Sequence, residues 1–142
     1  MKELLGKIGN SEDAKKYIER ITKKQLYHSD TIYKKVRFKY GNIIANNLHS
    51  YIKNQYSIDD DLYVEKLKIL CIKRRYGIIR FDNILYAKGI FESKYHGKYS
   101  IEDEKKTKNL LLQELNGKYL ELDDVSKANK IYNKCRLNGF KY

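Results

Sequence analysis

The side chains in this sequence with the chemistry for catalysis or metal binding are three histidines, two cysteines and a few acid pairs. His28, His49 and His96 stand far apart, and none has a second ligand at the spacing that shares a helix face. No Cys-x-x-Cys pair exists to complete a tetrahedral zinc site. The sequence therefore implies no metal and no cofactor. A nucleophile elbow, a phosphate-cradling glycine loop and a dinucleotide fingerprint are absent too. Asp60-Asp61 and Asp123-Asp124 fall at expected helix starts, where a negative charge complements the helix dipole. Capping explains them better than paired-carboxylate catalysis. His96, within Lys94-Tyr95-His96-Gly97-Lys98-Tyr99, is the side chain best placed to act on RNA as a general acid and base beside lysines. A polar surface loop is the simpler reading of that stretch, so the expectation is a protein that is not an enzyme.

Charge is more informative. Lys and Arg number 30 against 18 Asp and Glu, a net charge of +12. An excess of this size creates a positive field that attracts polyanions. The cations gather in three places. Lys34, Lys35, Arg37 and Lys39 alternate with Tyr33, Val36, Phe38 and Tyr40, which would put them on one face of a strand or around a helix. Lys73, Arg74 and Arg75 close a helix, where cations also suit the dipole. Lys134 and Arg136, with Lys141, lie near the chain end, and Lys94 and Lys98 occupy the matching place in an earlier repeat. These residues, apart from Lys141, are the candidate nucleic-acid contacts: lysine and arginine on phosphate, with little sequence specificity, and tyrosine or arginine stacking on bases. The alternative is an adaptor or inhibitor of the phage or virus type. It would dock on an acidic, or nucleic-acid-binding, surface of a partner protein. Membrane binding is not expected, because the cations are not collected on one long amphipathic helix.

The chain has 142 residues, about one ordinary domain. It has no proline and no tryptophan, but 14 tyrosines. Its richness in Lys, Ile, Asn and Tyr fits a gene of high A+T content, as in a phage, virus, parasite or mobile element. Cys71 and Cys135 are too few for a disulfide framework and read as reduced thiols. Met1 to Gly9 lacks the apolar core of a signal peptide, and no stretch approaches the ~18 apolar residues that span a bilayer. The expectation is an intracellular, cytoplasmic protein, or one of the host cytoplasm if viral.

The elements that must position these groups are helical. Asn10 or Ser11 starts a helix running to about Leu26, with Tyr17, Ile18 and Ile21 as its stripe. Ser29 to Tyr40 is ambiguous between helix and strand, with helix preferred. Ile44, Leu48 and Ile52 place another helix over Ile43 to Gln55. The later half repeats with a period of about 43 residues. Tyr56-Ser57-Ile58-Asp59-Asp60-Asp61 returns as Tyr99-Ser100-Ile101-Glu102-Asp103-Glu104, each serine a helix cap. Gly77-Ile78-Ile79-Arg80-Phe81-Asp82-Asn83-Ile84 matches the run from Gly117 to Val125, and Gly97 before Tyr99 echoes Gly139 before Tyr142. Helices are thus expected over Ser57 to Arg75, Asp82 to Tyr95, Ser100 to Asn116 and Asp123 to Leu137, with extended links between the members of each pair.

Each link resembles the end of an EF-hand loop and its exit helix. That resemblance implies two helical hairpins joined by a minimal two-strand contact between links. It does not extend to calcium, because the early oxygen ligands are missing and Asn83 stands where the bidentate glutamate would be. The fold class is all-α: a single domain of about six or seven helices. Residues 1–55 form an N-terminal helical element, 56–98 the first hairpin and 99–142 the second. The expected core comprises Ile18, Ile21, Ile44, Leu48, Ile52, Leu67, Leu70, Ile79, Phe81, Ile84, Ala87 and Phe91. Leu111, Leu115, Leu122, Val125, Ala128 and Ile131 complete it.

Overall fold

The structure is a computed structural model that describes residues 11–141. Asn10 as a helix cap, the reading of Met1 to Gly9, and Tyr142 lie outside the described residues. The fold is all-α, and no strand occurs among the described residues. In chain order the helices are α1 Ser11–Lys24, α2 Ser29–Tyr40, α3 Asn42–Asn47, α4 His49–Tyr56, α5 Asp60–Lys73, α6 Ile78–Ala87, α7 Ser93–His96, α8 Ile101–Lys118 and α9 Asp124–Leu137. A short 3₁₀ turn, Ser57–Asp59, leads into α5. Seven of the α-helices have eight residues or more, in line with the number expected from periodicity. None of the described helices is long and apolar enough to cross a membrane. The chain divides into two compact units, Met1–Val64 with Lys88–Ile90, and Glu65–Ala87 with Phe91–Tyr142.

In the first unit, the apolar stripes of α1 to α4 close on one core. Ala14, Ile18, Ile32, Val36, Ile44, Ala45, Leu48 and Ile52 are buried there, ringed by half-buried tyrosines. The run expected as one helix from Ile43 is interrupted at Leu48, just after Asn46-Asn47, residues of weaker helix propensity. A buried carboxylate lies beside this core: Asp60, in the first turn of α5 and 1% exposed. Its carboxylate accepts from the Ser29 amide at 2.7 Å and the Ser29 hydroxyl at 2.6 Å. A buried charge needs donors of this kind, because burial strips away its water. Here they are the first residue of α2.

The second unit repeats this device. Glu104, in the first turn of α8 and also 1% exposed, accepts from the Ile78 amide at 2.6 Å and the Lys141 amide at 3.1 Å. One carboxylate thereby satisfies a free amide at the start of α6 and holds the segment that follows α9. That segment is further pinned by backbone bonds from Gly77 to Asn138 (2.8 Å) and from Ile79 to Gly139 (2.9 Å). A methyl group on Gly77 would lie 2.5 Å from the Gly139 carbonyl oxygen, so the two backbones meet only because a glycine is there. Tyr99 donates to the Tyr76 carbonyl at 2.6 Å, and burial pushes its phenol up to about 12. Ser100 and Asp103 form a capping box at the start of α8. Burial tends to raise the Asp103 carboxyl, but bonds from the Ser100 amide and the Lys68 ammonium outweigh it and hold the carboxyl below its ordinary value.

Several sequence expectations change. The first link is not extended: α6 begins at Ile78, and the helix expected over Asp82 to Tyr95 is instead α6 and the single turn α7. The minimal strand contact between links is absent among the described residues; backbone pairing joins Gly77 and Ile79 to residues 138 and 139 instead. In helical phase Ile78, Phe81 and Leu85 turn inward, which leaves Ile79 and Ala87 exposed. Phe91, beyond the end of α6, is exposed as well. Leu70, Leu122, Val125 and Ala128 also lie on the surface, while Ile21, Leu67, Ile84 and Ile131 are half-buried. Ser57 lies in the 3₁₀ turn rather than capping α5.

Removing the Glu104 carboxylate leaves two amides without their acceptor, so Glu104→Ala should lower the unfolding free energy by roughly 2–4 kcal/mol. Glu104→Gln, which keeps an acceptor oxygen, should lose less. Urea denaturation followed by circular dichroism measures both, and a Glu104→Ala variant as stable as the parent contradicts the assignment.

Candidate nucleic-acid interface

α2 carries the first cationic cluster, and its anchorage explains why it is well placed to do so. His28 caps it, with Nδ1 accepting from the Asp30 amide at 3.1 Å. The other ring nitrogen, Nε2, lies 3.5 Å from the Asp60 carboxylate. Lys53 donates to the Ser29 hydroxyl at 3.1 Å and pairs with Asp30. Ser29, Ile32 and Val36 face the core of the first unit. With 100° between successive residues, that stripe sends Lys34, Arg37 and Phe38 outward and leaves Lys35 and Lys39 on its flanks. The alternating pattern Val36 to Tyr40 is therefore helical, and its cations spread around the helix rather than lining one strand face.

Aromatic rings hold Lys35, Arg37 and Lys39. Lys39 sits 4.3 Å from the Tyr17 ring centroid and 5.7 Å from that of Tyr40, while Arg20 lies 5.5 Å from Tyr17. Arg37 approaches Tyr33 at 5.9 Å and Lys35 approaches Tyr27 at 5.1 Å. A cation over a ring face gains about 0.5–1 kcal/mol at an exposed site and keeps its charge available to an anion. Tyr17 and Tyr40 meet edge to face at 5.9 Å. Burial, then the nearby Asp13 charge, raises the Tyr40 phenol above its ordinary value, so it stays neutral. Between Arg37 and Lys39 stands Phe38, 95% exposed. An aromatic ring wholly in water, on a helix that also carries cations, has the makings of a stacking platform for a base.

The other candidates belong to the second unit and divide by role. Lys73 and Arg74 are exposed at the end of α5. Arg75 is spent on structure: its φ of 61° closes α5 in a Schellman turn, with the Tyr76 amide reaching the Cys71 carbonyl at 2.8 Å. Its guanidinium bonds Glu114 at 2.8 Å and the Ile72 carbonyl at 3.0 Å. Lys94 lies 3.6 Å from Glu92 and over the Tyr95 ring, and Lys98 is exposed. Lys134 and Arg136 are exposed on α9. Sequence reasoning overlooked Arg20 and Tyr17, although their i, i+3 spacing on α1 was a usable signal.

No protein family, curated protein or solved structure matches this chain. The geometry therefore carries the functional argument by itself. His96 lies 2.8 Å from Asp82 and 4.4 Å, ring to ring, from Tyr86, which ties α7 to α6. His49 meets the edge of Tyr33 at 5.2 Å. Among the described residues no group of three or more His, Cys, Asp or Glu is arranged to hold a metal ion.

The cysteines are free and buried. Burial pushes the Cys71 thiol up to about 11, with smaller opposing effects from Arg74 and Arg80, and it raises Cys135 as well. The thiolate is the reactive form, so at pH 8 alkylation of native Cys71 should be slower than in the urea-unfolded chain by on the order of 10²-fold. Iodoacetamide labelling read by mass spectrometry measures this, and comparable rates in the two states contradict it.

Proposed function

We propose that this chain is a non-enzymatic, intracellular nucleic-acid-binding protein that holds single-stranded DNA or RNA along α2 with little sequence specificity. The observation that carries the reading is Phe38, 95% exposed on a helix whose cations Lys35, Arg37 and Lys39 rest on tyrosine rings. Lysine and arginine supply phosphate contacts, and an unpaired base stacks on Phe38. A duplex hides its base faces, so a stacking ring favours single strands. The surplus of cations over the whole chain adds long-range attraction, which strengthens as ionic strength falls.

Fluorescence anisotropy with labelled single-stranded oligonucleotides of mixed sequence tests the proposal. Affinity should fall steeply as salt rises, and Arg37→Ala and Lys39→Ala should each reduce the salt slope by about 0.7. Phe38→Ala should weaken binding by about 1–3 kcal/mol, roughly 5- to 150-fold, and leave the salt slope nearly unchanged. No detectable binding at low salt, or a Phe38→Ala variant that binds as the parent does, overturns the reading.

A further inference from the structure

The second unit carries a surface that the nucleic-acid reading does not use. One face of α6 and the end of α9 line a groove of about 420 Å³. Ligand clefts generally run from roughly 300 to 1,000 Å³. Its walls are hydrocarbon, from Ile79, Ile84, Ala87 and Leu137, with Asn83 between them and the Gly139 backbone also lining it. Ile79 is 42% exposed and Leu137 66% exposed, so the walls are open to water. Covering these side chains with a partner's hydrocarbon would remove apolar surface from water, which favours association.

The rim is two arginines. Arg80 is fixed: its guanidinium lies 4.1 Å from the Tyr76 ring centroid and donates to the Leu137 carbonyl at 3.2 Å. Arg136 lines the groove beside Leu137. Among the described residues neither arginine has a carboxylate within salt-bridge distance. The groove is thus apolar within and positive at its edge.

We propose that this groove receives an acidic amphipathic helix from a partner protein. Leucine-type side chains at i, i+3 and i+4 would enter between α6 and Leu137, and flanking glutamate or aspartate would meet Arg80 and Arg136. The hydrocarbon walls decide against nucleic acid, whose phosphates would stay hydrated and leave Ile79 and Leu137 uncovered. The charge decides against a second copy of the chain. A symmetric contact would set the Arg80 and Arg136 of one protomer against those of the other. The proposal is independent of the binding reading for α2, since the two use different residues and respond to different substitutions.

The probe is a fluorescein-labelled peptide of about four helical turns built from Leu, Ala and Glu, with leucine on one face. Its controls are the same peptide with Lys in place of Glu, and a scrambled version. The full chain should bind the acidic peptide at least tenfold more tightly than either control, with amide shifts in Ile79, Asn83, Ala87 and Leu137. Ile79→Glu and Arg136→Glu, both on exposed side chains, should each weaken binding tenfold or more. Arg136→Glu should also gain affinity for the lysine peptide, which a loss of folding could not produce. Affinities equal to those of the scrambled peptide overturn the proposal. So does competition for the same resonances by a single-stranded oligonucleotide, or by the chain's own self-association.

Discussion

A carboxylate sealed from water must find donors, and two such carboxylates set the position of the helices that matter here. Asp60 and Glu104 are almost wholly buried, and each accepts from the backbone amide of the first residue of another helix. The arrangement solves two problems together, because the helix start has amides without partners and the carboxylate needs hydrogen bonds. Replacing either acid with a hydrocarbon would leave the amide stranded, so the pairing specifies where α2 and α6 begin. Once Ser29 is fixed on Asp60, the phase of α2 follows. Ile32 and Val36 go inward, and Lys34, Arg37 and Phe38 go outward.

The two devices are related but not superposable along the sequence. Both follow a Tyr-Ser-Ile run, from Tyr56 and from Tyr99, yet Asp60 stands three residues after its serine and Glu104 four. The difference follows from how each helix starts. Ser100 caps α8 directly, with Asp103 closing the capping box, so Asp103 stays half-buried and Glu104 turns inward. Ser57 enters a 3₁₀ turn instead, and the tighter winding brings Asp60 to the inward position. Different routes into the helix thus bring different acids inward.

Helical character was legible in the sequence, and so was the position of most helices. Apolar spacing placed α1, and the repeat with its cap signals placed α8 and α9, within a few residues of their observed bounds. Ser29 to Tyr40, ambiguous with strand, is the preferred helix. The stretch from Gly77 to Phe81 was not legible, since two adjacent isoleucines and a phenylalanine after a glycine suit either period. Its helical phase is fixed by Glu104 and by residues 138 and 139, distant in sequence. The core assignments of Ile79 and Ala87 failed for that reason, and that of Phe91 because the helix ends at Ala87 before reaching it. On α9, Val125 and Ala128 have the spacing of a buried stripe but lie at the surface, and the side chain that helix buries is Cys135. The α2 cluster was legible as charge but not as architecture. The tyrosine from α1 that holds Lys39 comes from another element, and Arg75 looked like a surface cation until its left-handed backbone and its bond to Glu114 were seen.

Anchored helix, cations set on rings and one bare aromatic side chain are thus links in one physical sequence, from Asp60 outward to Phe38. Backbone amide mapping by heteronuclear NMR, during titration with a short single-stranded oligonucleotide, tests that sequence most directly. The account predicts the largest perturbations at Arg37, Phe38 and Lys39, with lesser ones at Tyr17 and Arg20, and an unmoved Ser29 amide on its carboxylate. Perturbations confined to α9, or none along α2 at saturating oligonucleotide, would contradict it.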